Sequence, residues 1–144
     1  MTGLCFVDTN VLVYIHDTQA PHKQQIAFDL VANLLERDNL VLSSQVLNEL
    51  ANCLMSPQFG FAIAEAREAL SVFAHCLIVP MDPALTHRAL DARERYGLSF
   101  WDSLIVAAAE RGRCKQILTE DLNHGQVYFG ATARNPFLSA VSEA

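Results

Sequence analysis

Lysine is nearly absent: the 144 residues hold only Lys23 and Lys115, and the formal net charge is −6. Such a chain has no broad basic surface of the kind that holds proteins on nucleic acid. Any nucleic-acid chemistry must draw its positive charge from bound cations or from locally gathered arginines. Paired cysteines are absent too. Cys5, Cys53, Cys76 and Cys114 stand singly with no C-x-x-C spacing, which argues against a zinc site and fits small buried hydrophobes kept reduced. No apolar run reaches the ~18 residues of a membrane span. The opening MTGLCFVDTN has neither a basic stretch nor a signal-length apolar run, so the expectation is a cytoplasmic protein with no membrane attachment. Low-complexity segments and internal repeats are also missing. What remains is a chain that is 51% hydrophobic, enough for the core of a single domain over residues 1–144, which would bury roughly 70% of its unfolded surface.

Short apolar runs alternate with amphipathic stretches. Leu4–Val7 reads as a buried strand ending in Asp8, and Val11–Ile15 as a short helix beyond the Asp8-Thr9-Asn10 turn. His22–Arg37 has an apolar stripe of Ile26, Leu30 and Leu34 beside Val31 and Leu35, with Pro21 suited to its first turn. Leu40–Leu42 is a second strand, and Ser43 or Ser44 can cap a helix carrying Val46, Leu47, Leu50, Ala51 and Leu54, which Pro57 ends. Ile63–Ala74 is a helix and Cys76–Val79 a third strand. Asp82-Pro83 starts a helix that runs to Tyr96 and stops at Gly97. Phe100–Arg111, closed by Gly112, precedes a fourth strand at Gln116–Leu118; Val127–Phe129 and Ala131–Ala133 read as short edge elements. Strands alternating singly with helices predict a three-layer α/β/α sandwich around a central, mostly parallel sheet of four to five strands.

In such a sheet ligands bind beyond the carboxyl ends of the strands. Asp8 directly follows strand one, and Asp121 lies three residues past Leu118 of strand four. Glu49 falls early in the helix after strand two. Asp102 is in the first turn of a helix that must end at the opposite edge, where strand four begins. Four carboxylates from four places in the chain can thus reach one pocket. They would repel one another and some would take up protons unless a divalent cation neutralised them. Oxygen ligands favour Mg²⁺ or Mn²⁺. Two ions about 3.5–4 Å apart, or one ion with a carboxylate as general base, can promote phosphodiester hydrolysis. Each acid also has an ordinary reading alone: Asp102 in a Ser99-x-x-Asp102 capping box, Glu49 as a solvated helix residue, Asp121 as a turn acid. Joint placement is the argument.

At these residues the chain resembles a PIN-domain nuclease of the VapC toxin type. Phe-Val-Asp8-Thr9-Asn10-Val-Leu resembles the first motif of that family, and Ser44-Gln45-Val46-Leu47-Asn48-Glu49-Leu50 the second. The run from Leu98 through Trp101-Asp102-Ser103 to Ala109 resembles the third, Leu118-Thr119-Glu120-Asp121-Leu122-Asn123-His124-Gly125-Gln126 the fourth, and Asn135-Pro136-Phe137 a common family ending. The resemblance spans about residues 4–138. It implies metal binding by Asp8, Glu49, Asp102 and Asp121, and support from Thr9, Asn10 and Thr119. It also implies Mg²⁺ or Mn²⁺ as cofactor, RNA as substrate, a homodimer and a cognate antitoxin protein. Glu120 adjoins Asp121 and is open to an exchange of roles with it.

Other residues carry weaker signals. Arg88, Arg93, Arg95, Arg111, Arg113 and Lys115 are either solvated helix-end partners or phosphate contacts. Trp101 is read as packing, with base stacking as the alternative. Phe59, Phe61 and Ile63 around Gly60 are core or a dimer or antitoxin surface. His16, His22, His75, His87 and His124 form no ligand pattern, His124 being nearest the candidate site. Competing with the ribonuclease are a catalytically idle binding module of the same fold and a phospho-accepting receiver-like domain. The latter needs an acceptor Asp after strand three, where Asp82 looks like a helix cap, and a Lys after the last strand, whereas Lys115 precedes strand four.

Overall fold

The computed structural model describes residues 3–138; the ends of the expected 1–144 domain, residues 1–2 and 139–144, lie outside the described residues. The elements run β1 (Cys5–Val7), α1 (Thr9–Tyr14), α2 (Pro21–Glu36), β2 (Leu40–Ser43), α3 (Ser44–Leu54), α4 (Ile63–Ser71), β3 (Leu77–Val79), α5 (Pro83–Tyr96), α6 (Phe100–Arg111), β4 (Gln116–Leu118), β5 (Val127–Tyr128) and β6 (Ala131–Arg134). The strands form one sheet in the order β3-β2-β1-β4-β6-β5, parallel except for β5, which is antiparallel to β6. The α/β sandwich is as expected from the sequence, but the sheet has six strands rather than four to five. The two segments read as edge elements close a tight turn through Phe129 and Gly130, both at positive φ, which adds a strand pair beside β4.

The central strands are short and buried on both faces, so they read as unbroken apolar runs. α1 packs on α2 and α3, α3 on α4, and α5 on α6, which in turn lies against β2, β4 and β6. With right-handed crossovers, α1–α4 cover one face and α5–α6 the other. The chain moves outward from β1 to β2 to β3 and then returns past β1 to β4. The reversal falls between β1 and β4, the position in an open sheet where the strand ends part and leave a crevice.

Local rules account for the helix ends. Ser43 caps α3 by accepting from Val46 N, Asp82 caps α5 by accepting from Leu85 N, and Gly97 ends α5 in the left-handed region at φ 69°. Gly112 closes α6 for a different reason. Its own φ is −76°, and the left-handed residue is Arg113 at φ 57°. A Cβ on Gly112 would stand 2.9 Å from Val41 Cγ1, so the glycine admits a close approach of the helix end to β2.

Candidate active site

Val7 pairs in register with Leu118, and the Asp8 amide donates to the Leu118 carbonyl at 2.9 Å. The residues following both strands therefore emerge side by side at the crevice. Asp8 is 6% exposed. Its Oδ1 accepts from Thr9 N at 2.7 Å and its Oδ2 from Thr119 Oγ1 at 2.7 Å. The Thr119 hydroxyl also accepts from Asp121 N at 3.0 Å, which turns the chain back beyond β4. Asn10 links the two sides: its Nδ2 donates to Asp121 Oδ2 at 3.0 Å and to Asp8 Oδ2 at 3.5 Å, and its Oδ1 accepts from Glu120 N at 3.4 Å.

Glu49 enters from α3, where Thr9 Oγ1 donates to its Oε1 at 2.8 Å. Asp102 enters from the first turn of α6, where its N–H donates to Ser99 Oγ at 3.1 Å. The capping role and the site position are thus compatible: Ser99 meets both the Asp102 backbone N–H and its carboxylate, and the carboxylate still lines the crevice. Asp8, Glu49, Asp102 and Asp121 all line one hollow of about 470 Å³, together with Thr9, Asn10 and Glu120.

The electrostatics follow from burial and like charge. Burial pushes the Asp8 carboxyl up from 3.8 to about 7, with Asp121 and Glu49 adding to the rise and the Thr119 and Thr9 hydrogen bonds opposing it. Burial also raises Asp102, opposed by the Ser99 hydrogen bond and again reinforced by Asp121 and Glu49. The donor set is all oxygen and carries surplus negative charge, which fits a hard divalent cation. Among the described residues, no three His, Cys, Asp or Glu side chains are gathered into a finished metal cage. The acids share a hollow, and an ion would have to draw them inward.

Some features were not legible in the sequence. Lys23 Nζ donates to Glu120 Oε2 at 2.8 Å and to Tyr14 Oη at 3.2 Å, so Glu120 is held by a cation while Asp121 is held by Asn10. Glu120, with Tyr14, raises Lys23 above the usual lysine range. Trp101, read as packing, is instead 62% exposed and stands on the wall of the hollow. The exposed position follows from α6 itself, whose buried residues begin at Ser103, just past its acidic first turn.

The arginines weighed as phosphate contacts are largely engaged within the molecule. Arg88 clasps Glu110 at 2.7 and 2.9 Å and lies 3.7 Å from the centre of the Phe129 ring. Arg111 binds Asp82 at 2.8 and 3.0 Å, and Arg93 donates to the Leu98 carbonyl at 2.7 Å. Phe59 and Phe61 pack against the core while Ile63 is exposed. His124 Nδ1 accepts from Asn135 N at 3.0 Å, which fixes its ring orientation.

The PIN domain family model matches residues 5–130, and the chain belongs to that family. Solved structures share the fold. VapC20 of Mycobacterium tuberculosis, described as a sarcin-ricin loop cleaving toxin, has a TM-score of 0.62 at 17% identity over 78% of this chain and 86% of its own. VapBC2 from Rickettsia felis, bound to a DNA fragment from its promoter, has a TM-score of 0.62 at 19% identity over 92% of this chain and 98% of its own. PAE2754 from Pyrobaculum aerophilum has a TM-score of 0.62 at 17% identity over 100% of this chain and 98% of its own. No curated protein matches the sequence.

Proposed function

We propose that residues 1–144 form a single nuclease domain that hydrolyses RNA internally with Mg²⁺ or Mn²⁺, and that it is the VapC-type toxin of a toxin–antitoxin pair. The observation that carries this reading is the convergence of Asp8, Glu49, Asp102 and Asp121 on one hollow at the crevice between β1 and β4. The neighbouring structures support its biological side: one is described as a sarcin-ricin loop cleaving toxin and another is VapBC2 bound to a DNA fragment from its promoter. A cytoplasmic location, a homodimer and a cognate antitoxin belong to the same proposal.

In this reading Asp8, Glu49, Asp102 and Asp121 would hold the cation, whose charge would polarise the phosphate and lower the pKa of water at the site. Thr119 and Thr9 orient Asp8 through the two hydrogen bonds to its carboxylate. Asn10 ties Asp121 to the β1 side and so sets the width of the hollow. Lys23 engages the Glu120 carboxylate, which favours Asp121 as the acid of the fourth motif that joins the cluster.

The receiver-like alternative loses its support. Asp82 is committed to capping α5 and to Arg111, and Lys115 precedes β4 at the far edge. The idle-module reading draws on the lack of a finished cage among the described residues, and one experiment separates it from the enzyme. Purified protein is incubated with RNA in Mg²⁺ or Mn²⁺, in EDTA, and as Asp8→Asn. Cutting that disappears with both chelation and substitution supports the metal nuclease. Cutting equal in all samples, or none in any, refutes it.

A further inference from the structure

Beyond the acid hollow lies a second one of about 350 Å³, lined by Gln45, Asn48, Glu49, Met81 and Trp101. Gln45, Glu49 and Trp101 line both, so the two hollows share a wall. The geometry points to this second hollow as a nucleobase subsite, in which the base of a nucleotide beside the cut bond stacks on Trp101 and hydrogen-bonds to the Gln45 amide. The inference rests on the nuclease reading and adds where and how the substrate is gripped.

Three observations converge on it. First, the Trp101 indole is large, apolar and 62% exposed, yet held from behind: Phe100 meets it edge-on with ring centres 5.6 Å apart, and its carbonyl accepts from Gln45 Nε2 at 3.4 Å. An exposed aromatic face of this kind stacks any base. Second, Gln45 is 7% exposed, and its Oε1 has no hydrogen-bond partner among the described residues. A buried acceptor without a donor is costly, and a base N–H that reached it would relieve that cost. Third, the charge differs between the two hollows. The first is crowded with carboxylates, whereas the second carries the neutral Gln45, Asn48, Met81 and Trp101 with Glu49 at the boundary. A neutral base fits such a lining and a phosphate does not.

The test uses a single-stranded RNA that the wild type cuts, and copies bearing one abasic ribonucleotide at each position around the cut. Trp101→Ala should raise KM roughly 5- to 150-fold with kcat little changed, the span that one base–aromatic stack represents. Trp101→Phe should recover part of the loss. The wild type should be penalised by one abasic position, and Trp101→Ala should be indifferent there. Trp101 is the protein's only tryptophan, so adding the same RNA in Ca²⁺ should quench its emission. An abasic scan that is flat in the wild type, or unchanged in Trp101→Ala, overturns the subsite while leaving the nuclease intact. Emission that ignores RNA and shifts with protein concentration gives the hollow to a second copy of the chain and overturns the subsite as well. If the wild type cuts no RNA, the nuclease reading falls and takes the subsite with it.

Discussion

Asp8→Asn should stabilise the metal-free protein at alkaline pH, although it should abolish cutting. Burial holds the Asp8 carboxyl at about 7 in the folded chain, against 3.8 ordinarily. At 1.36 kcal/mol per pH unit, that gap corresponds to roughly 4 kcal/mol of destabilisation once the group is ionised. Asparagine removes the charge but has one carbonyl oxygen, whereas Thr9 N–H reaches one carboxylate oxygen and Thr119 Oγ1–H, with the longer Asn10 Nδ2 contact, the other. The lost hydrogen bond costs about 1 kcal/mol or somewhat more. The net gain is about 2–3 kcal/mol, or roughly 5–10 °C in Tm for a chain of this size.

The pH dependence has a definite sign. The folded pKa lies above the unfolded one, so the contribution of protonated Asp8 is complete below about 3.8, shrinks through the interval, and is gone above about 7. In EDTA the wild type should therefore lose stability between about pH 5 and about pH 8, and Asp8→Asn should lose much less. On the proposed metal site Mg²⁺ would bind the folded form alone, so it should restore the wild type at the higher pH and help the variant little. Thermal or urea melts at the two pH values, with EDTA and with Mg²⁺, read this out. A variant less stable than the wild type at the higher pH in EDTA, or pH profiles that run parallel, would refute the charge-repulsion argument for this site.

Three further perturbations separate roles that proximity alone leaves mixed. Lys23→Ala frees Glu120 to compete with Asp121, so kcat should fall by about 10- to 100-fold with KM nearly constant. Lys23→Arg, or Glu120→Gln added to Lys23→Ala, should restore it; a rise in KM with a shallower salt dependence would instead make Lys23 a phosphate contact. Arg88→Ala removes the Glu110 pair and the contact with Phe129, both partly solvated, so it should cost about 1 kcal/mol of stability and leave KM for RNA unchanged. An increase in KM would return Arg88 to the RNA surface. Gly112→Ala forces a Cβ to within 2.9 Å of buried Val41, which should lower stability by about 1–3 kcal/mol; an unchanged melting temperature would mean that α6 can move away from β2 freely.

The sequence carried the sheet and the acids because both depend on local signals. Asp82-Pro83 and Gly97 bound α5 as their backbone preferences require, and Gln116–Leu118 is the strand its apolar run suggests. The carboxylates reach one hollow because chain direction through parallel strands determines which edge each residue occupies. The β5–β6 pair was harder to read. Its strands are two and four residues long, and its turn relies on Phe129, a bulky residue at positive φ that no residue preference would suggest.

Roles set by long-range partners were hidden for a different reason. Glu120 and Asp121 are neighbours with the same chemistry, and nothing between them in the chain says which one joins the cluster. Their partners differ, Lys23, 97 residues from Glu120, and Asn10, 111 residues from Asp121, and on that difference the proposal gives the role to Asp121. Trp101 shows the same limit. It follows Phe100 in the chain, yet it precedes the buried stretch of α6, which begins at Ser103, by two residues and is exposed. Hydrophobicity suggested packing; its place ahead of the buried stretch of α6 puts it beside Asp102, on the wall shared by the acid hollow and the neutral one, where on the proposed subsite an aromatic face meets the substrate.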